Sequence, residues 1–358
     1  MAIKYNKSGE DYWRKRNSLT EQERGKQTDK LLMKMRTLYR NTLEDINREI
    51  QLFYGRYAEE NGLTLTEVNR RLNSSQLKSA IKDIEKYYKF ASPEKIGLSM
   101  SRKYREKLRL LSARAYMSRL EEAKTRIEHI IVRMAADQKS GFEDALKEVY
   151  KESRLFASFG IDKARGVSAG YSAPDRKTVD RALNEQWLGG NYSDRIWADK
   201  GKLVDSIDRE LLTGISLGHN PKKIALAMSS KFSMNYRNCE RLALTEAAHI
   251  TESATADSYR EHGIEKYKFI SGPDGRVCPE CGALDGQVFE LKYKEEGVNY
   301  PPIHPRCACT TAPYFEPDEI DAMQEGASRV AYSGDGKIYS VPADMTYSEW
   351  RKMTEGGN

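Results

Sequence analysis

Long hydrophobic runs are absent from this 358-residue sequence. No apolar stretch approaches the roughly 18 residues that a membrane-spanning helix requires, so we expect no membrane partner. The first seven residues, MAIKYNK, show no apolar core of a signal peptide. Mean hydropathy is −0.73, and 39% of the residues are hydrophobic. The sequence therefore predicts a polar chain that acts outside the membrane.

Cysteine and histidine are scarce, with five of each. An odd cysteine count without an export signal argues against a disulfide framework and for a reducing compartment. Four of the cysteines nevertheless fall in one short polar stretch, at Cys278, Cys281, Cys307 and Cys309. That stretch is too small to hold together by burying apolar side chains alone. We therefore expect it to bind a metal ion.

Two tetrapeptides in this stretch share one pattern, CPEC at residues 278–281 and HPRC at residues 304–307. Proline favours a tight turn, so each tetrapeptide can present two ligands. Two facing pairs supply the tetrahedron that Zn²⁺ prefers, which predicts a site at Cys278, Cys281, His304 and Cys307. Because Cys307 and Cys309 point to the same side of an extended segment, an all-cysteine set with Cys309 in place of His304 is the alternative.

The predicted zinc ion is structural. Catalytic zinc keeps an open coordination position and a nearby general base. The deaminase pattern H-x-E is not met, because two residues separate His249 from Glu252. A nuclease of the His-Asn-His type needs a second histidine close by, and the nearby one is His262. A closed site can contribute on the order of 10 kcal/mol of apparent folding free energy.

The first half of the chain predicts long amphipathic helices, because apolar residues recur every three or four positions. One apolar stripe occupies residues 32–57 and stops at the Asn-Gly pair 61–62. A capping box, Thr64 with Glu67, opens the next helix. A third helix runs from about residue 101 past residue 134. These stripes indicate a core or helix partners.

The third helix carries the densest basic stretch of the sequence. Its members are Arg102, Lys103, Arg105, Lys107, Arg109, Arg114, Arg119, Lys124 and Arg126. They form either a surface that follows DNA phosphates or an ordinary solvated face. The net charge of +6 is compatible with non-specific contact to double-stranded DNA.

The middle of the chain also predicts helices. One runs from about residue 202 to 217, and the next begins with Asn220 as N-cap and Pro221 in its first turn. Before them, residues 187–197 place two tryptophans around a turn. We interpret this block as a hydrophobic clasp between helices or as a docking surface.

A long helix is predicted at about residues 235–262, closed by a glycine. Cys239 lies on its stripe of small residues and is expected to be a packed core thiol, separate from the metal site. Glu246 and His249 lie three residues apart, a spacing that di-iron bundles use in two copies. Since no second copy exists, we expect them to make a surface or interhelix polar contact.

After that helix the periodicity changes to that of strands. We predict strands at residues 266–270, 287–291 and 310–314. A hairpin tip follows at residues 334–336, and a capping box, Thr346 with Glu349, opens a short last helix. The fold class is therefore mostly α, with elongated long-helix regions before a small β-rich zinc-knuckle module and a short tail.

These patterns divide the chain into four regions. Residues 1–160 form a long-helix N-terminal region and residues 161–262 a helical middle region with the tryptophan-rich loop. Residues 263–316 form the zinc-binding β module. Residues 317–358, with the hairpin and the short helix, form the C-terminal tail. Because the tail is too small for a catalytic domain, we expect it to fold back or to dock on a partner.

The segment from residue 241 to 311 resembles the Mu F-like minor head proteins of tailed bacteriophages, also called head morphogenesis proteins. The matching residues are Arg241, Thr245, Glu246, Gly263, Asp274, Arg276, the two tetrapeptides, Leu284-Asp285-Gly286, Pro301-Pro302-Ile303, and Ala308 to Thr310. The helical first half, the tryptophan block and the tail resemble the Gram-positive phage branch of this family.

The resemblance implies a minor capsid protein that is incorporated at the portal vertex during procapsid assembly. The implied partners are the portal protein, a scaffolding or major capsid protein, and packaged double-stranded DNA. The implied location is the virion, inside the capsid, after assembly in the host cytoplasm. We expect no enzymatic activity and assign no catalytic residue.

Two other functions compete with this one. A metal-dependent nuclease acting on phage or host DNA would need Glu246, His249, Asp285 and His304 to converge in the fold. A DNA-binding regulator ranks last, because no base-reading signature is present.

Overall fold

The computed structural model describes residues 7–61, 119–165, 173–217, 219–271, 277–316, 330–332 and 338–340. Outside them lie both predicted capping boxes (Thr64 with Glu67, Thr346 with Glu349), the hairpin tip at residues 334–336 and the basic residues 102–114. Within the described ranges, no helix combines the length and apolarity of a membrane span.

The chain is mostly α-helical, as predicted. Its helices are α1 (Lys7–Asn61), α2 (Arg119–Arg165), α3 (Arg176–Asn184), α4 (Tyr192–Ser216), α5 (Pro221–Glu261) and α6 (Pro279–Leu284). Its strands are β1 (Lys266–Ile270), β2 (Val288–Glu290), β3 (Thr310–Tyr314), β4 (Val330–Tyr332) and β5 (Ile338–Ser340). A small sheet thus follows the long helices.

Three helix ends confirm the predicted stop and cap signals. α1 ends at Asn61. The N–H of Lys223 donates to Asn220 Oδ1 at 2.9 Å, which caps the start of α5. Behind the end of α5, Gly263 adopts φ +63°, a left-handed conformation that glycine reaches without strain.

The predicted division of α5 into two helices was wrong. The structure has one helix from Pro221 to Glu261. No glycine or proline lies between residues 222 and 261, so nothing interrupts the backbone. Ser233, near the predicted second start, donates its hydroxyl to the Ser229 carbonyl at 2.9 Å within the helix and caps no new one. α4 likewise begins about ten residues before its predicted start.

The chain forms two compact units. The helical unit comprises Met33–Gly141 and Tyr192–Glu240. The sheet unit comprises Met1–Leu32, Phe142–Asn191 and Arg241–Asn358. The four regions given above describe the chain along its sequence and stay a prediction.

The helical unit has an aliphatic core with one polar cluster. Ile46 and Ile131 are 0% exposed in that core. Beside it, the Tyr39 hydroxyl lies 2.7 Å from Asn235 Oδ1 and 3.1 Å from Gln138 Oε1. Paired in this way, the buried amides lose little on leaving water.

Two basic residues of the predicted phosphate-binding surface are used inside the helical unit. Lys124 is buried, and its Nζ lies 2.8 Å from Asp208 Oδ2. Arg126 pairs with Glu49 and with Glu122. These two side chains therefore pair with the protein's own carboxylates, and contact of this helix with DNA stays a prediction.

Cys239 is the packed core thiol that the sequence predicted. It is 2% exposed, and burial raises the pKa of its thiol to about 12. Since the thiolate is the reactive species, we expect iodoacetamide to leave Cys239 unmodified in the folded chain and to modify it in urea. Mass spectrometry of the peptide that contains residue 239 measures this. Complete alkylation under native conditions would contradict the assignment.

The sheet unit contains the predicted module. Its three strands are antiparallel in the order β2-β1-β3, and Ile270 pairs with Thr310 across β1 and β3. β1 and β3 have their predicted bounds. β2 is shorter than predicted, because buried Leu291 turns into a 3₁₀ helix while its N–H donates to the Glu265 carbonyl at 2.7 Å.

The sheet packs its apolar side onto the carboxyl end of α5. The side chains of this core are Ile161, Ala256, Tyr259, Ile264, Tyr267, Ile270, Leu291, Tyr300, Ala312 and Phe315. The rings of Tyr267 and Tyr300 meet edge to face, with centroids 5.1 Å apart. A second, smaller cluster beside it contains Phe269 with Cys281, Cys307 and Cys309. The cysteine stretch thus has little apolar core of its own.

β4 and β5 pair antiparallel, with Val330 opposite Ser340. They flank the predicted hairpin tip, as a hairpin requires.

Candidate metal centre

The first ligand pair lies at the start of α6. Cys278 is the N-cap residue, and its Sγ accepts the N–H of Cys281 at 3.4 Å. Pro279 occupies the first turn, where its missing N–H costs nothing. A sulfur that accepts backbone N–H groups is stabilised as a thiolate, and the pKa of Cys278 is lowered mainly by this hydrogen bond.

The second ligand pair lies on a tight turn. The N–H of Cys307 donates to the His304 carbonyl at 3.1 Å, and Arg306 takes a left-handed conformation with φ +62°. His304 Nδ1 lies 3.0 Å from the Pro305 carbonyl oxygen. A proton on Nδ1 makes this hydrogen bond, which leaves the lone pair on Nε2 available to a metal ion.

The two pairs face each other. His304 Nε2 lies 3.3 Å from Cys278 Sγ and 3.4 Å from Cys281 Sγ, and Cys281 Sγ lies 3.9 Å from Cys307 Sγ. In a zinc tetrahedron with ordinary bond lengths, the corresponding edges are about 3.6 Å for sulfur to nitrogen and about 3.8 Å for sulfur to sulfur. These three spacings match the edges to within about 0.3 Å. Cys307 belongs to a second group of donors, which Cys281 joins to the first. The cluster can therefore hold a metal ion.

Cys309 is the fifth donor of the cluster. Within the described part of the chain, two groups of ligand atoms lie within 4.8 Å of one another: Cys278, Cys281 and His304 form the first, and Cys281, Cys307 and Cys309 the second. Cys281 belongs to both. The predicted ligands are thus together, and His304 and Cys309 both lie close enough to compete.

The electrostatics of the cluster favour a cation. Hydrogen bonds from the thiol and the backbone of Cys309 lower the pKa of Cys307 to about 5. Burial raises the pKa of Cys281 to about 12, and the negative charge of Cys307 adds to this effect. Thiolates this close repel one another, so full ionisation of the set requires a compensating positive charge. A divalent ion supplies it.

α5 anchors the second ligand pair through a residue that sequence reasoning gave no role. The N–H of Arg306 donates to Thr245 Oγ1 at 3.1 Å, and that hydroxyl donates to the Arg241 carbonyl at 2.7 Å. The strained turn is therefore fixed to the helix by one hydrogen bond. In the sequence, the match of Thr245 to the family pattern was the signal that could have indicated this role.

Trp187, Glu246, His249 and Glu296 form a buried group that we call the Trp187 cluster. The rings of Trp187 and His249 stack 4.4 Å apart at 7°. Trp187 Nε1–H donates to Glu246 Oε2 at 3.2 Å, and His249 Nδ1 lies 2.8 Å from Glu296 Oε2. The pKa of Glu296 is lowered by His249 and Lys294, against the opposing effect of burial.

The Trp187 cluster corrects one expectation and refines another. Glu246 and His249 are 2% and 1% exposed, so a surface contact was wrong. Their partners hold α5 against the turn at residues 187–190 and the turn at residues 295–300. Trp187 therefore joins α5 to a turn within the sheet unit, whereas Trp197, the second tryptophan of the predicted clasp, belongs to the helical unit.

The four nuclease candidates do not converge. Glu246 and His249 belong to the Trp187 cluster, and His304 belongs to the metal cluster. Asp285 ends α6, where its Oδ1 accepts the N–H of Ser271 at 2.8 Å. Neither ligand group found in the described ranges contains Glu246, His249 or Asp285.

Glu252 predicts a pH dependence of stability. It is 0% exposed, accepts a hydrogen bond from Thr311 Oγ1 at 3.2 Å, and burial raises its pKa to about 7. A raised carboxyl pKa means that the folded state holds the proton to a higher pH than the unfolded state does. Folding stability is therefore lost as the pH rises from about 4 to about 7, by about 3 kcal/mol.

We accordingly expect Glu252→Gln, which keeps a hydrogen-bond acceptor for Thr311, to leave the melting temperature nearly unchanged at pH 5 and to raise it at pH 8. The exposed residue Glu185 gives the matched control Glu185→Gln, with no change at either pH. An equal shift of the Glu252 variant at both values would contradict the assignment.

The comparisons with known proteins agree with the resemblance. Residues 205–312 match the family model described as Phage Mu protein F like protein. No significant match to a curated protein or to a solved structure was found. The matched region includes the carboxyl end of α4, all of α5, β1, β2, the first residues of β3 and every donor of the metal cluster. The chain therefore carries a Phage Mu protein F-like region at residues 205–312.

Proposed function

We propose that this chain is a minor head protein of a tailed phage, incorporated at the portal vertex during procapsid assembly. The single observation that carries the proposal is the family match, because it covers the α5 platform and both ligand pairs together.

The metal ion in this proposal is Zn²⁺, and its role is structural. Cys278, Cys281, Cys307 and either His304 or Cys309 would hold it. A thiolate-rich donor set is the set that structural zinc prefers. When bound, the ion supplies the positive charge that lets the buried thiols ionise together. The chain itself holds the second ligand turn in place, above all by the hydrogen bond from the Arg306 N–H to Thr245 Oγ1.

The proposed partners are the portal protein, a scaffolding or major capsid protein, and double-stranded DNA bound without sequence preference. The net charge of +6 supports a phosphate-rich neighbour. The basic residues between 102 and 114 are the first candidates for that contact. The proposed location is the capsid interior at the portal vertex.

Mass spectrometry of purified procapsids and virions tests the proposal, with co-sedimentation of the purified chain and portal assemblies as the second arm. We expect the protein in both particles at low copy number and in the portal pellet. Its absence from procapsids and virions would end the proposal. We call the zinc ion with its four ligands the zinc brace. A phage that carries the Cys281→Ser variant in place of the wild-type protein is expected to incorporate less of this protein into its procapsids, because the brace fixes the conformation of the ligand turns.

A further inference from the structure

The metal cluster contains one donor more than a zinc tetrahedron needs. The two donor groups described above share Cys281 and offer His304 on one side and Cys309 on the other. Cys309 is 4% exposed, whereas His304 is partly exposed. The extra thiol thus lies on the inner side of the cluster and the imidazole on its outer side.

We propose that Cys309 is a reserve ligand, which takes the coordination position of His304 on the same Zn²⁺ ion when the imidazole is withdrawn. This inference rests on the proposed zinc brace. The centre would then hold its ion through two alternative sets, Cys278, Cys281 and Cys307 with His304, or the same three thiolates with Cys309.

The geometry makes the exchange a small movement. Cys309 Sγ already lies within 4.8 Å of the sulfurs of Cys281 and Cys307, which is at most about 1 Å beyond the tetrahedral edge of about 3.8 Å. Cys278 belongs to the other donor group, so the exchange also has to bring Cys278 and the two thiols of the second group together. Cys309 precedes β3, which begins at Thr310, so its backbone lies outside the strand pairing. A side-chain rotation of Cys309 with a shift of residues 307–309 toward Cys278 therefore completes the exchange.

The position of the His304 ring allows it to leave the metal ion. Its ring nitrogen Nδ1 is bonded within its own turn, to the Pro305 carbonyl. Rotation of the ring outward therefore breaks a local hydrogen bond and disturbs none of the sheet pairing. Cys309 cannot leave in the same way, because it is enclosed by the cluster with Phe269.

Titration of the full-length, reduced, metal-free chain with Co²⁺ tests the inference. Co²⁺ takes the zinc geometry, and its sulfur charge-transfer absorption per ion grows with the number of thiolate ligands. The variants are His304→Ala, Cys309→Ser and the double variant, each checked for its helical circular dichroism.

We expect His304→Ala to bind one Co²⁺ with less than about a tenfold loss of affinity and with a stronger charge-transfer band than the wild type. Cys309→Ser is expected to keep the wild-type spectrum. The double variant is expected to lose about 100-fold or more, since no fourth ligand remains. A His304→Ala variant as weak as the double variant would overturn the inference and leave the zinc brace intact.

Alkylation provides a second readout that does not depend on the spectrum. In His304→Ala, Zn²⁺ is expected to protect Cys309 from iodoacetamide at least as fully as it protects Cys307. Selective alkylation of Cys309 in the zinc-loaded variant would overturn the inference. A wild-type chain that binds neither Co²⁺ nor Zn²⁺ would overturn the proposed brace itself, so the two failures are distinguishable.

Discussion

Cys281→Ser is expected to empty the metal centre and to release both ligand turns from their native conformation. Cys281 is the donor that both groups share, so its loss leaves only two donors in each group and separates the two pairs. The lost metal affinity is on the order of 10 kcal/mol in structural zinc sites. Beside the cysteines, the core of this part of the protein contains Phe269 as its one fully buried aromatic ring.

The loss of native conformation in Cys281→Ser is expected to remain confined to the ligand turns. β1 and β3 pack Tyr267 and Ala312 onto α5, in a core separate from the cysteines. Hydrogen exchange measures the difference: amides of residues 278–286 and 304–309 should lose protection, while those of β1 and β3 retain most of it. Cys309→Ser is the matched control and should retain protection in both places. Full protection of the ligand turns in metal-free Cys281→Ser would contradict the brace.

Trp187→Ala is expected to have the second-largest effect. Trp187 is 7% exposed, stacks on His249 and donates its Nε1–H to Glu246. Truncating a buried aromatic side chain to alanine costs about 3–5 kcal/mol, and here it also removes the partner of a buried carboxylate. The melting temperature of the chain should fall by roughly 10 °C.

Two control variants separate the parts of this effect. Trp187→Phe keeps a stacked ring but loses the hydrogen bond, so it should cost less than the alanine variant. Val298→Ala changes a side chain that is 56% exposed and should cost under about 0.5 kcal/mol. A Trp187→Ala variant that melts within 2–3 °C of the wild type, on the scale of roughly 1 kcal/mol, would show that the Trp187 cluster is not a clasp.

Local signals in the sequence predicted the local features of the fold. The Asn220 cap, the stop at Asn61 and the strands at residues 266–270 and 310–314 were confirmed. So was the meeting of the two ligand pairs, because the paired C-P-x-C and H-P-x-C patterns fix both the turns and the donor types. In each case a few neighbouring residues determine the outcome.

Two features that depend on distant residues could not be predicted in this way: the burial of polar side chains and the continuity of the long helix α5. Glu246 and His249 are polar residues on a polar-looking helix, and their buried partners Trp187 and Glu296 lie about 50 residues away on either side in the sequence. The division of α5 was predicted because a serine that bonds inside a helix, as Ser233 does, cannot be distinguished in the sequence from one that caps a helix. Helix α6 was missed because its six residues were read as a turn.

Elemental analysis of the freshly purified, reduced full-length chain tests the central claim most directly. The account predicts one zinc ion per chain, lost on Cys281→Ser and retained on Cys239→Ser, whose thiol lies in the helical unit. A reduced, folded wild-type chain without bound transition metal would contradict it.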